Sequence, residues 1–277
     1  MDSFGERLRG RIDERGPLCV GIDPSADVLS AWSRSDSVEG LEFVARATLD
    51  AVSSVVAAVK VQVGFFERFA SSGLQVLERV LRDAAAADVL VIADAKRGDV
   101  VTTNEGYARA WLGEGSPLAA DAVTVSPYLG LDSLEPFFRL AVATGRGVFV
   151  LASTSNPEGR SFQLARTGDD DTVEASVLRR VSDLNRRAGP GLGPFGAVVG
   201  ATRERPHFTL ADLSGPYLVP GVGVQGASAA DVGRLFSGCP RGSVLASVSR
   251  AVANAGPEPR ALRDAAQRWR DQLNDAL

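Results

Sequence analysis

Eight short apolar runs rich in β-branched residues recur along the chain of 277 residues, and amphipathic segments follow most of them. The short runs have the length of buried strands, and the longer segments have the apolar spacing of helices. Strands that alternate with helices favour a parallel sheet covered by helices, and eight such units predict one closed (β/α)8 barrel, a single domain over residues 1–277. The predicted strands are residues 18–22, 55–63, 89–93, 122–125, 148–152, 197–200, 217–219 and 244–248, and the predicted helices are residues 41–52, 74–87, 131–144, 172–188, 227–236 and 259–273.

Nearly every predicted strand ends in a polar residue, and the carboxyl ends of barrel strands are where such folds place their catalytic groups. Serine and threonine at these positions are explained by the strand simply ending. Charged residues directly after an apolar run are explained less well, because charge is rarely buried without a purpose. The predicted site is therefore formed by the residues at these ends: Asp23, Lys60, Asp94 with Lys96, Ser126, Ser153, Thr202, the loop 221–226, and Ser249 with Arg250.

Lysine is scarce in this chain, since Lys60 and Lys96 are the only lysines among 30 basic residues. A lysine ammonium is compact, and its surroundings shift its pKa readily, which suits catalysis. Asp94 and Lys96 lie two residues apart and project to the same side if the strand continues through them, while Lys60 lies on the neighbouring strand. We therefore predict an alternating charge array of Lys60, Asp94, Lys96 and Asp99. Such arrays are costly to bury unless they are paired, and they are more often functional than structural.

The residues after this motif predict a helix start. Thr102 and Glu105 have the spacing of a capping box that opens a helix running through Trp111. Thr103 is then either part of the helix start or a ligand contact.

A glycine-rich loop, Pro220–Gly226, follows the seventh predicted strand. Its glycine spacing matches the dinucleotide-binding fingerprint, which is a weak signal alone. The next strand ends in Ser249 and Arg250, where a dinucleotide fold would carry an acidic ribose ligand. A barrel phosphate site fits better, with backbone N–H groups at helix N-termini and Arg250 as a bidentate partner. The predicted ligand is a phosphomonoester.

Composition excludes several other classes of function. The net charge of −4 and a pI near 5.2, without a basic run interrupted by aromatic residues, argue against a nucleic-acid binder. The N-terminal residues lack an apolar signal core, and no stretch approaches the ~20 apolar residues of a membrane span, so we expect a cytoplasmic protein. Two cysteines, Cys19 and Cys239, and one histidine, His207, offer neither a disulfide framework, nor a zinc site, nor a serine-histidine-aspartate triad.

Six motifs together resemble orotidine 5'-phosphate decarboxylase, and in particular its longer bacterial subfamily. The resemblance runs from the first predicted strand to the eighth. The motifs are Gly21-Ile22-Asp23-Pro24, Lys60, Asp94-x-Lys96-x-x-Asp99, Thr154-Ser155-Asn156-Pro157, Pro220–Gly226 and Ser249-Arg250.

This resemblance implies a reaction and a role for each matched residue. The family converts orotidine 5'-monophosphate to uridine 5'-monophosphate in the last step of pyrimidine synthesis, with neither a metal nor an organic cofactor. It also implies a homodimer with shared sites, because the family delivers the second aspartate and a threonine from the partner subunit. The implied roles are proton donation to C6 by Lys96, a position against the substrate carboxylate for Asp94, pairing with Asp94 and ribose contact for Lys60, ribose binding by Asp23, pyrimidine binding by Ser153, phosphate binding by Gln225 and Arg250 beside Pro220 and Ser249, and delivery across the interface of Asp99 and Thr103.

Three other functions remain open at this point. Enzymes of the same superfamily that act on sugar phosphates share the Asp-x-Lys-x-x-Asp motif but use Mg²⁺; they usually have shorter chains and lack Gln225. A Schiff-base aldolase would use Lys96 or Lys60 as a nucleophile. A sensor of phosphorylated ligands on an inactive barrel would need no charge array.

Overall fold

The computed structural model describes residues 2–168, 170–202 and 208–277. Its eight strands form a closed barrel in sequence order, each pairing in parallel with the next, and the last strand returning to pair with the first. The predicted fold is therefore confirmed. The strands are β1 (Leu18–Ile22), β2 (Ala58–Gln62), β3 (Leu90–Arg97), β4 (Ala122–Val125), β5 (Gly147–Ser153), β6 (Phe195–Val199), β7 (Tyr217–Val219) and β8 (Val244–Val248).

Helices surround the barrel and lie between most strands. The six predicted helices are all present, although the third begins with a 3₁₀ turn at Leu131–Leu134. In the described part of the β6–β7 connection the only helical turn is the 3₁₀ helix Leu210–Leu213, so the alternation with α-helices is not complete there. His207 lies outside the described residues. The helices are α1 (Phe4–Arg15), α2 (Ala26–Ala31), α3 (Val38–Val52), α4 (Val63–Glu67), α5 (Ala70–Ala86), α6 (Val101–Leu112), α7 (Glu135–Thr144), α8 (Arg160–Gln163), α9 (Val173–Ala188), α10 (Ala229–Leu235), α11 (Arg250–Ala253) and α12 (Pro259–Ala276).

Helix α1 closes the end of the barrel at which the strands begin. The Ser3 side chain caps it by accepting a hydrogen bond from the Glu6 N–H. Phe4 and Leu8 recur at helical spacing and are fully buried with residues of the barrel interior. The Phe4 ring meets the Phe149 ring edge to face at 5.8 Å. Because this end is filled by apolar side chains, ligands have access only from the opposite end.

A larger apolar cluster lies between the outer face of the barrel and the helices. All five residues of β1 and all five of β8 are buried, as expected for strands covered on both faces. Among the helices formed by the described residues, none combines the length and apolar character needed to cross a lipid bilayer.

Candidate active site

A cavity of about 710 Å³ opens at the carboxyl ends of the strands. Its size lies within the range of small-molecule sites, and its lining combines apolar floor residues with charged and polar groups. Eight of the residues predicted from sequence line it, namely Asp23, Lys60, Asp94, Lys96, Pro220, Gln225, Ser249 and Arg250. The predicted residues Asp99, Thr103, Ser126, Ser153 and Thr202 are not part of this lining.

Two lysines flank one carboxylate on the β1–β3 side of the cavity. Lys96 Nζ lies 2.6 Å from Asp94 Oδ1, and Lys60 Nζ lies 3.0 Å from Asp94 Oδ2. Asp23 lies farther away, with its Oδ1 atom 3.6 Å from Lys60 Nζ. The parallel register explains the Lys60 contact, because Gln62 pairs with Asp94 and places Lys60 one pleat below it on the adjacent strand. The predicted array is thus present for Lys60, Asp94 and Lys96.

Charge pairing keeps the buried members of this array ionised. The side chains of Lys60 and Asp94 are only 9% and 10% exposed. Burial alone would raise the pKa of Asp94, but the charges of Lys60 and Lys96 outweigh it and hold this pKa well below its usual range. Burial alone would lower the pKa of Lys60, but the charges of Asp23 and Asp94 raise it above its usual value. Lys60 and Asp94 therefore carry fixed opposite charges at neutral pH.

The backbone reaches this arrangement by a route that differs from the predicted one. Lys96 has a φ of 46°, so the extended strand conformation does not continue through it. The β3–β4 register shifts between Ala93 and Arg97, which pair with Val123 and Val125, so that β3 carries extra residues in this interval. A non-glycine residue in the left-handed region is strained, and such strain concentrates at functional sites.

Thr124 of β4 stabilises this irregular segment, and sequence reasoning did not single it out. Its hydroxyl donates to Asp94 Oδ1 at 2.8 Å and accepts from the Lys96 backbone N–H at 2.9 Å. It is 1% exposed. A threonine inside a four-residue apolar strand carries no sequence signal that separates this role from ordinary β propensity.

Asp99 and Thr103 lie outside the cavity of their own chain. The Asp99 carboxylate accepts a hydrogen bond from the Val100 N–H at 2.7 Å and forms no ion pair with a described residue. Thr103 is exposed in the first turn of α6. The predicted capping box at Thr102 and Glu105 is wrong: the helix begins two residues earlier, with Val100 as N-cap and no side-chain cap. The turn is held instead by Asn104, whose side chain bonds to both the Asp99 N–H and the Asp99 carbonyl.

The β7–β8 side of the cavity carries a cation beside the glycine loop. Arg250 follows β8, is exposed, and forms no ion pair within residues 2–168, 170–202 and 208–277. The exposed Gln225 side chain lies on the same rim. An anion that enters here meets a guanidinium and a neutral amide.

Of the two helices that follow β7 and β8, α10 has a capped N-terminus, whereas α11 has no side-chain cap. Ser228 and Asp231 form a reciprocal capping box that occupies the start of α10. Within the loop, the Gly223 N–H donates to the Ala227 carbonyl, and the Gly226 N–H donates to the Gly223 carbonyl. Gly223 has a φ of 84°, and a Cβ there would lie 3.1 Å from that of Ala251, so a side chain is disfavoured on both counts. In this conformation the side chains, rather than these N–H groups, offer the contacts for an anion.

The β5 side of the cavity differs from the prediction by one residue. Ser153 is fully buried, and its carbonyl accepts from the Gly200 N–H at 2.7 Å. The residues that line the cavity here follow it: Thr154, Ser155, Asn156, Gly159 and Gln163. In the sequence, Thr154–Asn156 stand out only as part of a motif, and Gln163 does not stand out. Ser25, Asp27, Gln62, Phe65 and Ser247 are further lining residues that were not predicted.

Comparisons with known proteins all point to one family. A model of the orotidine 5'-phosphate decarboxylase / HUMPS family matches residues 16–265. The orotidine 5'-phosphate decarboxylase of Salinispora tropica is 52% identical over 268 residues, which cover 97% of this chain and 96% of that protein. The corresponding protein of Streptomyces coelicolor is 48% identical over 277 residues, with 100% and 99% covered.

Solved structures show the same likeness. A Streptomyces avermitilis crystal structure provisionally assigned to this activity matches with a TM-score of 0.95 at 48% identity, covering 100% of this chain and 96% of that one. The OMP decarboxylase of Leishmania donovani matches with a TM-score of 0.74 at 32% identity, covering 99% and 98%.

Proposed function

The chain belongs to the orotidine 5'-phosphate decarboxylase / HUMPS family, and from this we propose that it is the carboxy-lyase that converts orotidine 5'-monophosphate to uridine 5'-monophosphate and CO₂ in pyrimidine biosynthesis, with Lys96 as the proton donor. The 48–52% identity to relatives named for this activity supports decarboxylation rather than sugar-phosphate chemistry. The observation that carries the mechanism is the array of Lys60, Asp94 and Lys96 at one side of the cavity.

The reaction requires stabilisation of negative charge on a carbon atom. When the bond from C6 to the carboxylate breaks, CO₂ leaves and the electron pair stays on C6. Lys96 then gives C6 a proton from Nζ, and the neutral amine regains a proton from solvent, so that one proton is consumed for each turnover. A preorganised ammonium in a water-poor site stabilises such charge much better than water does, because it needs no reorientation during the reaction.

The remaining members of the array hold Lys96 in place. Asp94 accepts from Lys96 and from Thr124, and Lys60 holds the other oxygen of the same carboxylate. Asp94 would lie against the substrate carboxylate and repel it, which is a ground-state contribution of contested size. Lys60 and Asp23 would contact the ribose hydroxyls on this side.

The other rim of the cavity would hold the phosphate. Arg250 has no competing carboxylate partner among the described residues and is available for a bidentate contact. Gln225, Pro220 and Ser249 line the same rim. We propose that phosphate binding there supplies energy for closure of the glycine loop. Ser153, for which the family resemblance implies pyrimidine binding, does not line the cavity, whereas its neighbours Thr154–Asn156 do.

The proposed reaction uses no metal and no imine. It is tested by following the loss of orotidine monophosphate absorbance with purified enzyme in excess chelator, and again after borohydride treatment with substrate. We expect full activity in both cases. Activity that depends on Mg²⁺ would favour the sugar-phosphate enzymes, and covalent trapping that depends on substrate would favour the aldolase.

A lysine-to-arginine exchange tests the proton donor. Lys96→Arg keeps the positive charge but replaces a compact acid with a planar guanidinium that does not give up its proton. We expect kcat to collapse while uridine monophosphate still binds. Arg97→Lys is the matched control, since the neighbouring Arg97 pairs with Glu67 outside the cavity and should tolerate the exchange. Comparable activity of Lys96→Arg and wild type would remove Lys96 from this role.

We also propose that the enzyme is a homodimer in which Asp99 and Thr103 complete the partner's site. Asp99 forms no ion pair within the described part of its own chain, and both residues lie beside an exposed apolar patch at the barrel mouth. A second copy of the chain is the occupant that would both cover this patch and bring a carboxylate to Lys96. The patch consists of Val100, Val101, Tyr128, Leu129 and Phe162, which are 46–73% exposed.

Mixing two inactive variants tests the shared site. Lys96→Ala and Asp99→Ala should each be nearly inactive alone, but their heterodimer would carry one site with both defects and one intact site. Full subunit exchange makes half of the dimers mixed, so about a quarter of wild-type activity should return. If exchange is demonstrated by mass-tagged subunits and no activity returns, Asp99 acts within its own chain.

A further inference from the structure

A glutamine on the short helix α8 holds both polar groups of Thr154 at the cavity wall. The Gln163 Oε1 atom accepts from the Thr154 backbone N–H at 3.1 Å, and Gln163 Nε2 donates to Thr154 Oγ1 at 2.7 Å. The Thr154 hydroxyl in turn donates to Asn156 Oδ1 at 2.7 Å. All three residues line the cavity. The Gln163 amide therefore holds Thr154, at the start of the loop after β5, and through Thr154 it also holds Asn156.

The packing around this clasp leaves little room for another arrangement. A Cβ at Gly159 would lie 2.9 Å from Gln163 Nε2 and 3.0 Å from Thr154 Oγ1. On the far side, a Cβ at Gly200 would lie 2.8 Å from Ser155. Because α8 has only four residues and the loop forms no strand pairing here, the clasp takes the place of regular backbone hydrogen bonds in keeping this wall in one conformation.

The position of the wall indicates which part of the nucleotide faces it. In the closed barrel β5 lies two strands beyond β3 and three strands before β8, so the wall flanks the charged array on the side away from Arg250. The array occupies the ends of β2 and β3, and Arg250 lies at the end of β8. Reaction at C6 places the base beside the array, and the phosphate lies at Arg250. The polar edge of the base away from C6 is then the part of the ligand left to face β5.

Ser155 is the wall residue best placed to meet that edge. It lines the cavity between the two residues that the clasp fixes, and its hydroxyl forms no hydrogen bond with a described residue. A pyrimidinedione edge offers carbonyl acceptors and an N–H donor, and a hydroxyl serves either.

We propose that Gln163 is a positioning residue for base recognition: by clasping Thr154 it holds the wall of Thr154–Asn156 in the conformation that contacts the pyrimidine. This inference rests on the proposed function, since it takes the ligand to be a pyrimidine nucleotide. It assigns Gln163 no contact with reacting atoms. Its loss should weaken the binding of ligands that carry the base and leave the binding of the sugar phosphate alone unchanged.

The test compares two ligands on three variants. Gln163→Leu removes both hydrogen bonds at similar volume, Gln163→Glu keeps an acceptor for the Thr154 N–H but loses the N–H donor, and Ser161→Ala is the control, exposed on the same helix. The two ligands are uridine 5'-monophosphate and ribose 5-phosphate, and their dissociation constants are measured by calorimetry beside kcat/KM for orotidine monophosphate.

For Gln163→Leu we expect uridine monophosphate to bind about tenfold more weakly, as the loss of one to two hydrogen bonds implies, with a similar fall in kcat/KM. Ribose 5-phosphate should bind within about twofold of wild type, Gln163→Glu should be intermediate, and Ser161→Ala should match wild type.

Equal weakening of both ligands would indicate a general structural role and overturn the proposal, as would uridine monophosphate affinity within twofold of wild type. If Gln163→Leu fails to fold by circular dichroism, Gln163→Glu decides between the same outcomes. A wild-type enzyme that does not consume orotidine monophosphate would instead refute the proposed function, and that failure is seen without any variant.

Discussion

Replacing Asp94 by Asn should destabilise the protein far more than the loss of one ion pair at the surface. At 3.0 Å from Lys60 and an effective dielectric constant of about 20, the attraction lost is about 5 kcal/mol. Two effects offset part of it: the variant no longer buries a carboxylate, and Asp23 still lies 3.6 Å from the Lys60 ammonium. We therefore expect a decrease of about 3 kcal/mol in the free energy of unfolding, at the low end for a buried pair that loses one partner.

The pH dependence of this difference follows from the two pKa shifts. The pKa of Asp94 is depressed in the folded protein, so its contribution is complete above the unfolded value of about 3.9 and is lost as pH falls below it. The pKa of Lys60 is raised, so its contribution is complete below about 10.4 and is lost as pH rises above it. The difference between wild type and Asp94→Asn should be constant from about pH 5 to 9 and shrink below about pH 4.

Urea denaturation at pH 7 and pH 3 measures the loss in the free energy of unfolding and its dependence on pH. Two further variants test whether the loss comes from the buried charge. Asp83→Asn breaks a partly exposed pair with Arg46 at 2.8 Å and should cost no more than about 1 kcal/mol. Adding Lys60→Met to Asp94→Asn removes the buried ammonium that has lost its nearest partner and should restore much of the stability. If Asp94→Asn costs no more than Asp83→Asn, or if Lys60→Met does not rescue it, the argument from buried charge is wrong.

Two further predictions concern the phosphate rim and the barrel interior. Arg250→Ala should raise KM by about tenfold to a hundredfold, which is the range for a lost charge-assisted hydrogen bond. It should also lower kcat if phosphate binding drives closure of the loop. An unchanged KM in steady-state kinetics would remove Arg250 from the phosphate site. Burial raises the pKa of Cys19 to about 12. In thiol-reagent titrations of the folded protein at pH 8 we therefore expect the partly exposed Cys239 to react first and Cys19 to react only after denaturant is added. Rapid modification of both cysteines would contradict the burial of Cys19.

The barrel itself was predictable because its strands are apolar on both faces and therefore stand out as short runs. The boundaries of β1, β4, β7 and β8 agree with the prediction to the residue. Helix α1 was missed, although Phe4, Leu8 and Ile12 have helical spacing behind a Ser3 cap. Those apolar positions are separated by many charged residues, so from the sequence alone the segment resembles a polar terminus. Only the structure shows that it fills the open end of the barrel.

The charge array was predictable in part, because parallel register alone brings Lys60 beside Asp94. The contact of Lys96 was predicted correctly for the wrong reason, since it depends on a positive φ and a register shift rather than on a continuous strand. Thr124 and Gln163 were not predictable as site residues. Thr124 bonds to residues that lie 28 and 30 positions away in the sequence, and Gln163 bonds to a residue nine positions away. None of these bonds leaves a local pattern in the sequence.

The regular spacing of Asp94, Lys96 and Asp99 hides a change of direction between the second and third residues. Gly98 lies against the Ser126 carbonyl so closely that a Cβ there would be 2.3 Å from that oxygen, so this position requires glycine. The Ser126 N–H also donates to the Arg97 carbonyl at 2.8 Å, which fixes the chain just before the turn. The motif thus directs Lys96 into its own cavity and Asp99 away from it. A sequence pattern that looks like one cluster is, in three dimensions, the end of one site and the start of a surface, and this division is what a site shared between two subunits requires.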